Sequence, residues 1–442
     1  MKKYGEYKDS GVAWIGDVPK HWEVIKTSLA FQGIGSGTTP STSKKEYYDD
    51  NGNGKYWLQT GDLEDGIVYN TSKKVSNIAI KECNLTFYPI DSIIIAMYGA
   101  TIGKVGILGI ESATNQACCV IPVTQKQIAK YFFYEFLACK PALLIAAIGG
   151  GQPNISQDTI KKLKIVIPPI IEQVAIAAYL DTHCAKIDNL ISIQQKRIAL
   201  FQELKQSIIT HAVTKGLNPN VEMKQSGVEW IGDVPKHWEV CKLKHYSQVF
   251  GRIGFRGYNQ TDLVNEGEGA ITLSPSNMQN GILNYDKCSY LSWKKYYESP
   301  EIMIYNDDVL FVKTGSTYGK ISYVADLPME ATINPQIVVF KNIKGNNKYL
   351  YYLLSNDIVQ MQVSLTVGGS TIPTLSQESI LNYIVPLAPK VEQAAIASYL
   401  DHKCATIDTS ISNAQHQIEL LQEYKQSLIT EVVTGKRKVT DN

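Results

Sequence analysis

A chain of 442 residues is too long for one ordinary hydrophobic core and implies about two to four domains. With 44% hydrophobic and 19% charged residues it has the composition of a well-packed globular protein, which excludes a disordered or fibrous class. A formal net charge of +1 favours no partner, so any nucleic-acid surface must come from local concentration of basic groups.

The opening MKKYGEYKDSG lacks the apolar stretch of a secretory signal. The best apolar run, Ala142 to Ile148, falls far short of the roughly 20 residues a membrane helix needs. A cytoplasmic protein without a membrane partner is expected. Eight scattered cysteines, with no C-x-x-C pair, fit reduced and buried or inert thiols rather than a zinc ribbon or a disulfide framework.

In chain order, the first segment to stand out is SGVAWIGDVPKHWEV at 10–24. Residues 25–168 then read as short strands between turns: KYWLQT (55–60), IVYN (67–70), SIIIAMYG (92–99), GKVGIL (103–108) and CCVIPV (118–123). Gly-rich turns such as GIGSGTTP (33–40) separate them, and a helix is expected near Gln127–Cys139. From 171 to 213 the period changes to alternating steps of four and three: Leu180, Cys184, Ile187, Ile191, Gln194, Ile198, Phe201, Lys205, Ile208 and Ala212. No Gly or Pro interrupts the stretch; Pro168 and Pro169 stand before it and Gly216 after it. About six heptads of this spacing predict a coiled-coil helix roughly 60 Å long at 1.5 Å per residue.

The chain then repeats itself. SGVEWIGDVPKHWEV at 226–240 matches 10–24 at fourteen of fifteen positions. TGSTYGK (314–320) answers YGATIGK (98–104), TLSQ (374–377) answers NISQ (154–157), and EQAAIASYLDHKCATID (392–408) answers EQVAIAAYLDTHCAKID (172–188). QEYKQSLIT (422–430) answers QELKQSIIT (202–210). The offset stays near 220, so each unit is a whole domain plus a connector rather than a solenoid repeat. The second copy reads as strands AITLSP (270–275), DVLFVKTGS (308–316), KISYVA (320–325) and QIVVF (336–340), with a helix near Lys348–Val363. Residues 25–95 and 241–311 have little in common, which suits two readers of different ligands on one frame.

A second heptad seam follows in the same frame: Leu400, Cys404, Ile407, Ile411, Ala414, Ile418, Leu421, Lys425, Leu428 and Val432. The simplest partner for each helix is its copy, packed antiparallel; two independent bundles are the alternative. Lys205 and Lys425 are seam imperfections, tolerable if their stems bury and their ammonium groups reach water. The expected fold class is α+β: two strand-rich globular domains separated by two long antiparallel coiled-coil helices, as a pseudo-twofold internal repeat. The expected segments are a first globular domain at 1–170, a first long spacer helix at 171–213, a linker at 214–225, a second globular domain at 226–388, a second long spacer helix at 389–434, and a basic tail at 435–442.

Patterns that resemble catalytic motifs fail on inspection. FQGIGSG (31–37) mimics a loop that binds S-adenosylmethionine, but Pro40 and a polar tract follow instead of a helix. Asn334-Pro335-Gln336-Ile337 lacks the second Pro and the aromatic of the motif that grips a flipped base in an amino-methylating enzyme. GATIGK (99–104) and GSTYGK (315–320) have three residues between glycines where a phosphate loop has four, and no hydroxyl follows the Lys. They fit tight turns, with or without an anion or DNA phosphate bound. The seven His residues form no metal pair, and His21 and His237 fit packing or hydrogen bonding better than base catalysis. No catalytic residue and no metal ligand is expected.

The repeated SGVxWIGDVPKHWEV, the linker THAVTKGLNPNVEMKQSGVEW (210–230) and the helix start PPIIEQVAIAAYLD resemble the specificity subunit of Type I restriction–modification enzymes. GIGSGTTP, and GRIGFRGY with LSPSNMQNG, resemble the openings of its target-recognition domains. The resemblance covers nearly the whole chain. It implies that each globular domain reads one half of a bipartite, asymmetric site in double-stranded DNA, while the helices fix the unspecified spacer. It further implies two modification (methyltransferase) subunits and restriction (motor-nuclease) subunits as partners. S-adenosylmethionine, ATP and Mg are then expected on those partners and none on this chain.

Arginine occurs only at 197, 252, 256 and 437, so the first domain cannot use the common bidentate Arg–guanine contact. Its candidate DNA contacts are Thr38, Thr39, Gln59, Thr60, Thr101, Lys104, Gln152 and Asn154. Those of the second domain are Arg252, Arg256, Ser274, Asn277, Lys313, Thr317, Lys320, Ser370 and Thr371. Lys104 and Lys320 suit phosphate better than bases. The alternative function is a non-catalytic coiled-coil protein-interaction scaffold without DNA specificity.

Overall fold

The structure, a computed structural model, describes residues 3–49, 52–124, 127–145, 147, 154–279, 281–367 and 373–439. The chain forms two compact units: Met1–Gln195 with His416–Asn442, and Lys196–Gln415. The first long helix spans Ile170–Lys215 and the second Lys390–Val433. Each unit therefore takes one domain and a stretch of both helices.

In the first unit a five-stranded sheet has the order Gly35–Ser36, Cys118–Ile121, Ile93–Ala96, Val105–Leu108, Gly66–Val68; only its last pairing is parallel. A four-stranded sheet runs Lys73–Val75, Lys55–Leu58, Ser112–Thr114, Phe87–Tyr88, with its central pair parallel. The apolar run at 93–96 is explained by burial of both strand faces. Ile93 and Ile95 enter a core with the helix Ala129–Ile145, whereas Ile94 and Ala96 pack with Leu58, Val68 and Leu108.

The second unit repeats this plan in different residues. Gln248–Gly251, Ile337–Lys341, Val309–Val312 and Ile321–Tyr323 make an antiparallel sheet. Leu263–Val264, Ser289–Ser292, Gly269–Leu273 and Ala331–Ile333 make the other, with its last pair parallel. Val309 and Phe311 face one core, Leu310 and Val312 the other.

The helices after the sheets depart from expectation. Ala129–Ile145 continues through Pro141, which cannot donate to the Leu137 carbonyl. Gln426 Nε2 donates to that carbonyl at 3.2 Å instead. Its counterpart, expected as one helix near Lys348–Val363, is two: Asn347–Ser355 and Asp357–Thr366. Asn356 breaks it, its side chain accepting from Ile358 N and Val359 N, and Gln206 Nε2 takes the Ser355 carbonyl at 2.9 Å. The repeated KQS segments thus fill one role twice.

Within each unit the two long helices pack antiparallel. Leu180, Cys184 and Ile187 share a core with Leu428, Ile429 and Val432; Ile209 and Ala212 share one with Ile396, Leu400 and Cys404. Along the seam Leu180, Ile187, Leu400, Ile407, Ile418 and Leu428 are buried, while Ile191, Ile198, Phe201, Ile208, Ile411 and Leu421 are half-buried. The seam lysines do not simply reach water. Lys205 Nζ contacts both carboxylate oxygens of Asp408 at 2.7 Å, and Lys425 Nζ those of Asp188 at 2.6 and 2.8 Å.

The repeated PKHW segment clasps the helix ends. His21 Nε2 lies 2.6 Å from Glu172 Oε1, and the buried Trp22 indole N–H donates to Glu172 Oε2 at 3.1 Å. His237 and Trp238 treat Glu392 likewise, at 2.6 and 3.0 Å. The helices end at Gly216 and Gly435 in the left-handed region, φ +76° and +73°. A Cβ on Gly435 would lie 2.3 Å from Pro19 Cδ, so this cap admits no side chain. The tail is not loose at its start: Arg437 lies over the Tyr179 ring and Lys438 over Tyr4.

Among the described residues no helix is long and apolar enough to cross a membrane. Cys118, Cys119, Cys139, Cys184 and Cys404 are buried, and burial pushes the Cys119 thiol up to about 12.

Candidate nucleic-acid interface

At one edge of the paired sheets of the first unit, four backbone segments are tied in series. Ile155 N donates to Met97 O (2.7 Å), Met97 N to Ala117 O (2.8 Å), and Asn115 N to Leu58 O (2.9 Å). Asn115 Oδ1 accepts from Ala117 N at 3.2 Å, closing an Asx turn. Next to Leu58, Gln59 opens a single helical turn whose Asp62 carboxylate accepts from Gln59 N at 2.8 Å. The strand ends thus make a continuous rim of polar loops on a buried sheet, a rigid base for recognition.

The second unit builds the same rim. Leu375 N donates to Lys313 O, Lys313 N to Gln336 O and Asn334 N to Leu273 O, each at 2.8 Å. Asn334 Oδ1 accepts from Gln336 N (3.0 Å), and Asn277 Oδ1 from Ser274 N (2.9 Å). The frame is one; the side chains on it differ.

Most first-domain candidates meet on this rim. Trp57 Nε1 holds the Thr38 carbonyl at 3.1 Å, and Thr39 Oγ1 accepts from Gln116 N at 3.5 Å. Gln59 and Thr60 form the adjacent turn. Thr101 and Lys104 sit in the strand-connecting turn, where Lys104 N donates to Thr101 O at 3.0 Å, and Asn154 bridges to Tyr98. Lys104 is half-buried, and no hydrogen bond or ion pair engages its ammonium among the described residues. Gln152, Ser370 and Thr371 lie outside the described residues.

In the second domain Arg252 faces inward, and Arg256 is half-exposed and paired. Arg252 is 5% exposed; its Nε donates to Ile333 O at 3.2 Å and its Nη2 to Thr332 Oγ1 at 3.0 Å, with Tyr258 stacked beneath. Burial holds its pKa below the usual value. Arg256 Nη1 pairs with Glu301 at 3.2 Å. Asn277 is buried, donating to Asn284 O and Lys287 O at 3.1 Å. Arg252 and Asn277 thus brace loops from within, whereas Arg256, Ser274, Lys313, Thr317 and Lys320 retain exposed surface. Burial lowers the Lys313 pKa, and the described residues offer its ammonium no acceptor.

The repeated frame is the decisive context for comparison. Residues 19–199 and 235–420 match the family described as Type I restriction modification DNA specificity domain. The chain belongs to that specificity-domain family. Two relatives from Methanocaldococcus jannaschii are each 25% identical to it. The MjaVIII specificity subunit aligns over 96% of this chain and 94% of its own length, the MjaIX specificity subunit over 99% and 97%. A solved structure from work on complex assembly and conformational transition of the type I R-M system superposes with TM-score 0.70 at 13% identity, covering 94% of this chain and 98% of the other. The HsdS subunit of Thermoanaerobacter tengcongensis superposes with TM-score 0.50 at 13% identity, over 95% and 98%. The fold is thus shared with these solved structures over nearly all of this chain.

Sequence reading passed over Asn115 and Gln116, and met Asn334 and Gln336 only as a failed base-gripping motif. The signal was present: TNQA precedes CCVI as INPQ precedes IVVF. It is short and gains meaning only when the two Asx turns are seen in one frame.

Proposed function

We propose that this chain is the DNA-reading subunit of a Type I restriction–modification complex. Each domain reads one half of a bipartite, asymmetric site in double-stranded DNA, and the two long helices set the spacer. Two modification subunits carry S-adenosylmethionine and methylate adenine; restriction subunits carry ATP and Mg. This chain contributes recognition and a scaffold, and no bond-making step.

The observation that carries this reading is one hydrogen-bonded rim, built twice and dressed with different side chains. Two identical rims would read a symmetric site; two unrelated domains would need no common frame. Lys104 and Lys320 supply phosphate contacts that give affinity without sequence information.

Exchanging residues 25–168 for the corresponding segment of another family member tests the reading. Mapped methylation should change in one half-site, with the other half-site and the spacer retained. DNA affinity of the assembled complex should fall steeply with salt. A complex that binds partners but shows no salt-dependent DNA association would indicate a protein scaffold instead.

A further inference from the structure

On a rim shared by both domains, discrimination must come from positions where the backbone is fixed and the side chain varies. The Asx turn is such a place. Its sequence is Asn115-Gln116-Ala117 in the first unit and Asn334-Pro335-Gln336 in the second, with matching bonds at both ends. The middle position is Gln116 in one and Pro335 in the other, so one domain offers an amide where the other offers no hydrogen-bonding side chain. Gln336 occupies the next position, and its Oε1 already accepts from Asn334 Nδ2 at 3.1 Å.

Gln116 is exposed, and its amide group makes no hydrogen bond to any described residue. Its backbone is pinned, the N–H donating to Thr39 Oγ1. It directly follows Asn115, whose N–H meets the Leu58 carbonyl next to Gln59. A free amide on a fixed backbone presents a donor and an acceptor side by side, the pattern complementary to N7 and N6 of adenine in the major groove. The first domain has no arginine to compete for this task.

We infer that Gln116 is a specificity-determining residue of the first domain, reading one base, an adenine, through its side-chain amide. The inference rests on the DNA-reading function proposed above and narrows it to one side chain.

Bound sequences selected from a randomised duplex library by the full chain, assembled with its modification subunits, test it. The unaltered complex should return two half-sites. Gln116→Ala should make one position of one half-site degenerate, with roughly ten- to hundred-fold loss of preference there. Gln116→Glu, which can only accept, should move that position toward cytosine, whose N4 donates. The other half-site should stay constant in both variants, and thermal unfolding should not move. An unchanged first half-site in both variants, or an altered second half-site, overturns the inference. Loss of all selection in both variants overturns it too, because one base contact leaves the rest of the site in place. No bipartite site from the unaltered complex would instead overturn the functional reading itself.

Discussion

Glu135 is a fully buried carboxyl in an apolar core, and its counterpart explains why it is there. Its Oε1 accepts from Val166 N at 2.8 Å, and the neighbouring Tyr131 hydroxyl donates to Val166 O at 3.0 Å. In the second unit Tyr349 donates to Pro386 O in the same way. Pro386 has no N–H to satisfy, and Leu353 stands where Glu135 would be. The two positions exchange as a pair. Glu135→Leu alone should cost about 1–3 kcal/mol by orphaning the Val166 N–H. Adding Val166→Pro should recover much of that loss in denaturant unfolding. Burial pushes the Glu135 carboxyl up to about 8 from its ordinary 4.5, outweighing the opposing bond from Val166. The folded state therefore holds a proton that the unfolded chain releases. This stabilisation is full below about pH 4.5 and lost as pH rises through about 8. Glu135→Gln should flatten the stability profile in that window; a profile of unchanged slope would contradict the assignment.

At the scale of elements, heptad spacing predicted the long helices to within a few residues, because a buried stripe on a helix writes its period directly into sequence. The capping helices were less legible. Helix Ala129–Ile145 survives Pro141 because Gln426, nearly 290 residues away, takes the freed carbonyl, and no local pattern announces such a partner. The seam lysines were visible but their partners were not. Asp188 and Asp408 sit one position beyond Ile187 and Ile407, on the rim of each seam. Lys205→Asp should destabilise by about 1 kcal/mol, and Asp408→Lys in the same chain should restore most of it. The Lys205 side chain is 26% exposed and Asp408 54%, so this pair is screened and modest in worth. Failure of the second change to rescue would mean the pair is incidental. Gln426→Ala should cost a further, independent amount of about 1 kcal/mol.

At the scale of the molecule, the duplication was the most legible feature, since 14 identical residues in a block of 15 need no physics to detect. The equivalence of the two polar rims was not. It is carried by backbone hydrogen bonds between segments far apart in the chain, which accept nearly any side chain. That is why residues 25–95 and 241–311 look unrelated while one four-stranded sheet in each unit carries one parallel pairing, central in the first and at the edge in the second. Candidates chosen by residue type and loop motif therefore mixed rim residues such as Gln59 with braces such as Arg252 and Asn277. Composition cannot tell a side chain that waits for a ligand from one already spent on its own fold.

The helices enter both units unbroken, and on this account they, rather than the domains, set the DNA spacer. Inserting one heptad at Gln194 and another at Ala414 adds about 10 Å to each helix while preserving the seam. Methylation mapping of a strain carrying that chain should return both half-sites unchanged, separated by a spacer longer by about three base pairs. Altered half-sites with an unchanged spacer would contradict the account.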